Sequence, residues 1–395
     1  MKKCVSDIVN KFLCSGCGGC QVICPKKCID INLVNGRNVA IVNEDLCIEC
    51  GICLKICPSV SNYNHINSED EINLNYFGEI KKCMVGHSSN NHIRKNAASG
   101  GIVTSILKYA IANRIVDGVI TVRADKKKPI NNEIILVKDL SELMDTMGSR
   151  YSPISMCLGL NKIKNISGKF IFVGKPCEVE ALKNIMEIDR EIKSRIIFTI
   201  SIMCHQNPSI KGTMEILYKN NIPMDEIKSL KYRGNGWPGK FEIITKDEDV
   251  FQMSYLDAWG KYICKYSNIA CRMCANPFAK NADIVVGDPW GDEYKDEYYG
   301  KSVFLIRSQR AMDIINQMLK NKEIDAIECS VNHISRFQHE LLKKIQNIKY
   351  MIEAYNIFIK KNINVINMFR KYKFNLNEYI RITKNILIII KFKRG

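Results

Sequence analysis

Eight cysteines near the N-terminus have the type and spacing to do chemistry. Cys14, Cys17, Cys20 and Cys24 form C-x2-C-x2-C-x3-C and are followed by Pro25. Cys47, Cys50, Cys53 and Cys57, followed by Pro58, repeat the run, each position 33 residues after its counterpart. Soft thiolates at this spacing let one tight loop offer three sulfurs to a 4Fe–4S cube, while the fourth cysteine leaves for the other cluster. The run therefore assigns Cys14, Cys17, Cys20 and Cys57 to one cluster, and Cys47, Cys50, Cys53 and Cys24 to a second. Structural zinc is the competing use of clustered cysteines, but it takes paired C-x2-C arms rather than three thiols in one loop ahead of C-P. Gly16, Gly18, Gly19 and Gly51 let backbone N–H groups approach the sulfides. Cys4 and Cys28 fit neither run and read as spare thiols.

Four later cysteines lie in distinctive settings. Cys177 follows a strand-like run and a turn, Gly174-Lys-Pro-Cys177. Cys204 follows the apolar run 196–203 and precedes His205, while Cys271 and Cys274 form C-x2-C. Together they could enclose a third 4Fe–4S cluster, but buried thiols, a zinc site or a redox pair fit the spacing equally. His205 is a candidate proton donor, although a histidine beside a metal ligand more often serves as its hydrogen-bond neighbour. Asn96-Ala-Ala-Ser99-Gly100-Gly101 opens a helical period at Ile102. A Ser or Asn cap and two glycines at a helix start could seat a phosphate, or simply begin a helix. Gly148-Ser149-Arg150-Tyr151 is a second turn with small residues and a cation, fit for a pyrophosphate or for ending an element.

The elements that must hold these residues follow from periodicity. Short strands over 29–33 and 39–42 flank Asn35-Gly36, a type I′ hairpin signal. Residues 61–75 are polar and read as linker. Beyond residue 80, strand-like runs over 116–122, 170–173, 196–203, 241–245, 284–286 and 303–306 alternate with helical periods, and the chain past 311 reads as mostly helical. The expected fold class is α+β. A small ferredoxin-like two-cluster module (1–60) and a linker (61–78) precede a larger α/β-type flavin-binding body (79–310) and a basic helical C-terminal region (311–395).

Composition narrows the rest. The chain has 395 residues, 46% hydrophobic and 25% charged, which excludes wholesale disorder and leaves room for two or three domains. No apolar leader opens the sequence and no apolar run is long enough to span a bilayer, so a cytoplasmic location is expected. There, 18 cysteines point to metal or redox chemistry rather than disulfides. Of the net charge of +17, +11 lies beyond residue 340, so this is a basic tail on an ordinary body and not a nucleic-acid-binding protein. The tail's apolar run 385–390, flanked by Arg381, Lys384, Lys391, Lys393 and Arg394, could make peripheral membrane contact or pack on the body.

Eight segments, in order, resemble the β subunit of coenzyme F420-reducing hydrogenase and its flavoprotein relatives. They are Ala98-Ser-Gly-Gly101, Val116-Asp-Gly-Val119, Gly148-Ser-Arg-Tyr151, Gly174-Lys-Pro-Cys177, Met203-Cys-His205 with Asn207-Pro-Ser209, Tyr232-Arg-Gly-Asn-Gly-Trp237, Cys271-x2-Cys274 and Gly287-Asp-Pro-Trp290. They span about residues 80–310. The resemblance implies FAD and a third 4Fe–4S cluster on Cys177, Cys204, Cys271 and Cys274. It implies FAD-phosphate contacts at Ser99, Gly100 and Gly101, with Ser149, Arg150 and Tyr151 as further candidates. Lys175 and Gln206 depart from the Thr and Gly frequent in the family, and Lys175 would place a cation beside the cluster. The implied function is an iron–sulfur flavin oxidoreductase between a one-electron carrier such as ferredoxin and a small-molecule substrate, either coenzyme F420 or a polysaccharide-pathway intermediate. The alternatives are an electron-transfer subunit without its own substrate, and a redox-sensing interaction protein at a membrane or glycan-assembly complex. The oligomeric state is not legible.

Overall fold

The structure is a computed structural model that describes residues 4–61, 76–295, 298–359 and 376–394. The expected linker falls mostly outside the described residues. Near the N-terminus, β1 (Ile29–Val34) and β2 (Arg37–Val42) form an antiparallel hairpin, with Ile29 opposite Val42 and Val34 opposite Arg37. Asn35 and Gly36 have φ of 50° and 75°, the left-handed pair that a type I′ turn requires.

The body is organised by one sheet. Its strands are β3 (Lys82–Ser88), β4 (Gly118–Ala124), β5 (Asn132–Val137), β6 (Phe170–Gly174), β7 (Ile196–Ile202), β11 (Ile284–Gly287), β12 (Ser302–Ile306) and β13 (Ile324–Glu328). The order across the sheet is β13-β3-β12-β11-β7-β6-β4-β5. The four inner strands β11, β7, β6 and β4 run parallel, and antiparallel strands complete both sides. A second, three-stranded antiparallel sheet holds β8 (Ile227–Lys231), β9 (Lys240–Thr245) and β10 (Val250–Ser254). The region past 311, read as mostly helical, also contributes a strand to this sheet, where β13 pairs with the far edge of β3. With only Ile324 buried along it, β13 carries too little apolar pattern to announce a strand.

Alternation along the strands sorts the core into two faces. Ile120, Phe170, Phe172, Val303 and Leu305 face one side, and Val119, Ile171, Phe304 and Ile306 the other. The helices Ile102–Ala112 and Gln309–Lys320 cover the second face with Ile106, Leu107, Ile314 and Met318. The helix Pro176–Met186 covers the first with Val179, Leu182 and Ile185. Cys17, Val22 and Ile56 of the cysteine-rich segment join that same core, so the segment is built onto the body.

The C-terminal helices Ile348–Ile359 and Leu376–Arg394 lie against each other and close a third core around Leu13, Ile269 and Met273. Ile382 and Ile389 of the last helix are fully buried there, while Ile380 and Leu387 are exposed. The apolar side of the basic tail is thus taken up mainly by protein. Among the described residues no helix is long and apolar enough to cross a membrane.

Candidate functional site

The sequence repeat becomes a structural repeat. Gly18 and Gly51 sit at equivalent places in the two cysteine runs, and each is a left-handed N-cap, with φ of 85° and 75°, for the short helices Gly19–Ile23 and Ile52–Lys55. A Cβ is disfavoured at that backbone conformation, which accounts for glycine in both copies. Burial pushes the Cys57 thiol up to about 12, with Cys17 and Cys14 adding to the effect. Burial likewise raises Cys20, which also feels Cys17, Cys14 and Cys57. Cys57 thus lies near Cys14, Cys17 and Cys20, and Cys20 also feels Cys53 of the second run. Cys28, whose thiol is pushed to about 12, feels both Cys24 and Cys47 and so lies between the two runs. Cys28 is no isolated spare: its Sγ lies 3.5 Å from Cys24 Sγ. Buried thiols this costly to ionise alone suit a cationic iron–sulfur centre that binds them as thiolates.

Two strand ends and one short helix gather the second set. Cys177 lies one residue into the helix that follows β6, Cys204 lies just past β7, and the helix Ile269–Arg272 carries Cys271 with Cys274 beyond it. All four line one small cavity together with Leu13, Ser15, Pro58 and Ser59 of the cysteine-rich segment. Burial drives Cys204 to about 12 and raises Cys177 and Cys271. The Asn207 backbone N–H donates to Cys271 Sγ at 3.2 Å, and its side chain donates to Ser15 O at 3.4 Å. Asn268 Nδ2 donates to Cys14 O at 2.9 Å. These bonds tie the two thiol groups together across more than 190 residues of sequence.

Lys175 brings a cation here, as expected, but not an unpaired one. Its Nζ lies 2.5 Å from Glu178 Oε1, and its backbone N–H donates to Glu178 Oε2 at 2.7 Å. Met156 N–H also donates to Glu178, whose side chain is fully buried. Burial opposes the Lys175 charge, yet Glu178 and the nearby thiols outweigh it and hold its pKa above the ordinary lysine value. Removing one partner of such a pair strands the other. Glu178→Gln is therefore expected to destabilise the protein by about 3–5 kcal/mol in thermal or denaturant unfolding, with part of the loss recovered in Lys175→Met/Glu178→Leu.

Beyond Cys204 a larger cavity of about 290 Å³ opens at the carboxyl ends of the parallel strands, where ligands of open α/β sheets bind. That is close to the ~300 Å³ at which small-molecule pockets begin. Lys175, Cys204, His205, Gln206 and Asn207 line both cavities. Ser99, Gly101, Ser149, Arg150 and Tyr151 line the larger one. Gly100 is not part of that lining.

The expected roles at this turn change in detail. Gly101, left-handed at φ 79°, is the N-cap of the helix Ile102–Ala112, and no side chain caps it. Asn96 instead donates to His92 O, and Ser99 Oγ bonds Ser302 Oγ at 2.8 Å. The first-turn amides at Ile102, Val103 and Thr104 thus stand at the cavity wall with no side-chain cap, a better anion seat than a capped turn. Gly100 is a glycine for the protein's sake: a Cβ there would meet Gly86 O and Ser302 N at 2.6 Å. Gly100→Ala is expected to lower stability by about 1–3 kcal/mol in chemical denaturation whether or not a ligand is present.

Arg150 faces inward. Nε donates to Asn132 Oδ1, Nη1 to Leu230 O, and Nη2 to Pro129 O and Asn131 O, which leaves little for a pyrophosphate. Burial, with Lys344 and Arg272 nearby, lowers His205 to about 4, so at neutral pH it carries no second proton to give. Lys344 Nζ donates to His205 O at 2.6 Å.

Apart from Tyr151, the far wall is built from residues that the sequence did not mark as site residues. Tyr151, Tyr255, Trp259 and Trp290 line it with Arg233 and Asp288. Arg233 and Trp290 were noted only as parts of the Tyr232–Trp237 and Gly287–Trp290 segments. An arginine in a glycine-rich loop and an aspartate just past a strand are the signals that could have marked this wall.

Residues 13–60 match the 4Fe-4S dicluster domain, which makes the chain an iron–sulfur protein. Residues 83–161 match the coenzyme F420 hydrogenase/dehydrogenase beta subunit N-terminal model, and residues 167–332 match the corresponding C-terminus model. The chain belongs to the coenzyme F420 hydrogenase/dehydrogenase beta-subunit family, with a dicluster domain at its N-terminus. It is 22% identical over 283 residues to the coenzyme F420 hydrogenase subunit beta of Methanosarcina barkeri, covering 69% of this chain and 91% of that one. It is 23% identical over 375 residues to the coenzyme F420-dependent sulfite reductase of Methanocaldococcus jannaschii, covering 88% of this chain and 53% of that protein. It is also similar, at 25% identity over 288 residues, to the F420-dependent formate dehydrogenase subunit beta of M. jannaschii, covering 71% of this chain and 69% of that protein. A chain of the F420-reducing [NiFe] hydrogenase complex from M. barkeri shares the fold, with a TM-score of 0.56 at 21% identity over 71% of this chain and 94% of that one.

Proposed function

We propose that the chain is an iron–sulfur flavoprotein oxidoreductase joining a one-electron carrier, such as a ferredoxin, to a two-electron small-molecule substrate. Two 4Fe–4S clusters sit on the N-terminal cysteines, a third on Cys177, Cys204, Cys271 and Cys274, and FAD occupies the larger cavity. The observation that carries this reading is a shared wall. Cys204 borders both cavities, and the thiol cavity reaches Leu13 and Ser15 beside Cys14 on its other side. Bound clusters supply single electrons, and flavin joins them to hydride chemistry.

The chain's own residues bind, orient and exclude water. The uncapped amides of Ile102–Thr104 receive a phosphate, and Ser149 lines the same cavity. The Lys175–Glu178 pair keeps the wall near Cys204 close to neutral, and His205 lines it as a neutral imidazole. Coenzyme F420 is the favoured substrate, because the relatives' names carry it.

A second reading has its own support. Several relatives are named as subunits, so the chain could hand electrons to a partner subunit and have no substrate of its own. The full chain, assayed anaerobically with reduced methyl viologen and coenzyme F420, separates the two. Loss of F420 absorbance supports the oxidoreductase. A reducible flavin without turnover supports the subunit, and absence of flavin contradicts both.

A further inference from the structure

A third cavity, of about 350 Å³, lies apart from the two already described. It shares His205 and Gln206 with the larger cavity and none of that cavity's other lining. Of the four central thiols only Cys271 borders it. Arg272 forms one wall. Lys343 and Lys344 of the helix His339–Gln346 form another, and Asn385 of the last helix completes it. The match to the family's C-terminus model ends at residue 332, so the lysine and asparagine walls are not part of the matched body.

The lining is cationic. Arg272, Lys343 and Lys344 meet a single carboxylate, Glu340, which lies 3.6 Å from Lys343 Nζ and 3.1 Å from His339 Nε2. Lys344 Nζ donates to His205 O, a neutral acceptor. Arg272 makes no hydrogen bond or ion pair among the described residues, and its Nε is buried without an acceptor. That leaves the two Nη groups as the donors that can reach the cavity. Comparable cations elsewhere in the body are paired: Lys175 with Glu178, Arg123 with Glu133 and Arg233 with Asp288. A half-buried guanidinium with no carboxylate carries a desolvation cost that a bound anion would offset.

We propose that this third cavity is a binding site for a phosphate group, with the Arg272 fork as its main contact and Lys343 and Lys344 completing the positive field. A planar guanidinium takes an oxyanion through two parallel N–H donors, and ammonium groups add charge without fixed geometry. Three cations less one carboxylate leave +2, which matches the charge of about −2 on a phosphate monoester better than a single carboxylate does. The volume passes the ~300 Å³ at which small-molecule pockets begin, so an organic frame fits behind the phosphate. Met351 offers that frame an apolar surface, and Asn385 an amide. Two sources share this chemistry, inorganic phosphate and a small organic phosphate ester. The site needs neither a flavin nor a cluster to bind its ligand.

The test is calorimetric titration of the anaerobic full chain at low ionic strength with glycerol 3-phosphate and with inorganic phosphate, glycerol serving as the neutral control. Saturable binding of at least one phosphate is expected in the wild type, weaker at high salt, with none for glycerol. Binding should be about tenfold or more weaker in Arg272→Gln, which removes the fork and its charge. The amides at Ile102 attract the same groups, so the binding that counts is the part lost in Arg272→Gln, a residue outside the larger cavity. Lys343→Gln changes an exposed side chain and should weaken binding about threefold. It decides the matter if Arg272→Gln fails to fold, as judged by iron content and thermal unfolding. Tighter binding of glycerol 3-phosphate than of inorganic phosphate assigns the site to organic esters, and equal affinity assigns it to the free ion. No saturable binding of either, or equal affinity in folded variants and wild type, overturns the site and leaves these cations to offset the charge of the central thiols.

Discussion

Cys271→Ser/Cys274→Ser is expected to lower iron from about twelve to about eight atoms per chain while the N-terminal clusters persist. A serine hydroxyl is a harder, weaker ligand than a thiolate, and losing two of four thiols leaves a 4Fe–4S cube unsupported. The N-terminal cysteines lie on separate loops, joined to this one through Asn207 and Asn268 rather than through shared thiols. Reduction of a flavin in the larger cavity by a one-electron donor should fall by orders of magnitude, because the cavity that Cys204 shares with it has lost its redox centre. Iron, sulfide and stopped-flow flavin reduction check this. Unchanged iron in the double variant would remove the third cluster from these residues.

Deleting residues 380–395 should be nearly as damaging, though for a structural reason. Ile382 and Ile389 are fully buried in the core that contains Leu13 and Met273, and these two neighbour Cys14 and Cys274 in sequence. Truncating one such isoleucine to alanine costs about 2–5 kcal/mol, and removing both with their helix approaches the whole stability of about 5–15 kcal/mol. The truncated chain is expected to aggregate or lose iron, and Ile389→Ala alone to lower the denaturation midpoint by a measurable fraction. A deletion that keeps iron content and unfolding midpoint, and loses only binding to anionic vesicles, would restore the membrane role considered for the basic tail.

What could be read in the sequence was local. The doubled cysteine run, the Asn35-Gly36 turn and the apolar strands over 170–173 and 303–306 each carry their signal within a few residues, and each stands where expected. Contacts between distant segments were not legible. Nothing near Gly100 tells that β12 backbone lies where its Cβ would fall. Nothing near Arg150 tells that its fork is taken up by carbonyls at 129–131 and 230. Nothing in the period marks β13 within a region that reads as mostly helical, because one buried residue makes no pattern. Glu178 was not legible for the same reason: it is an ordinary polar residue until the fold buries it beside Lys175.

One measurement bears most directly on the whole arrangement: iron, acid-labile sulfide and flavin per chain in anaerobically purified full-length protein, with its visible spectrum. Three clusters and one cofactor require about twelve iron, about twelve sulfide and about one FAD per chain. About eight iron with no flavin would leave a dicluster protein whose central thiols and larger cavity serve something else.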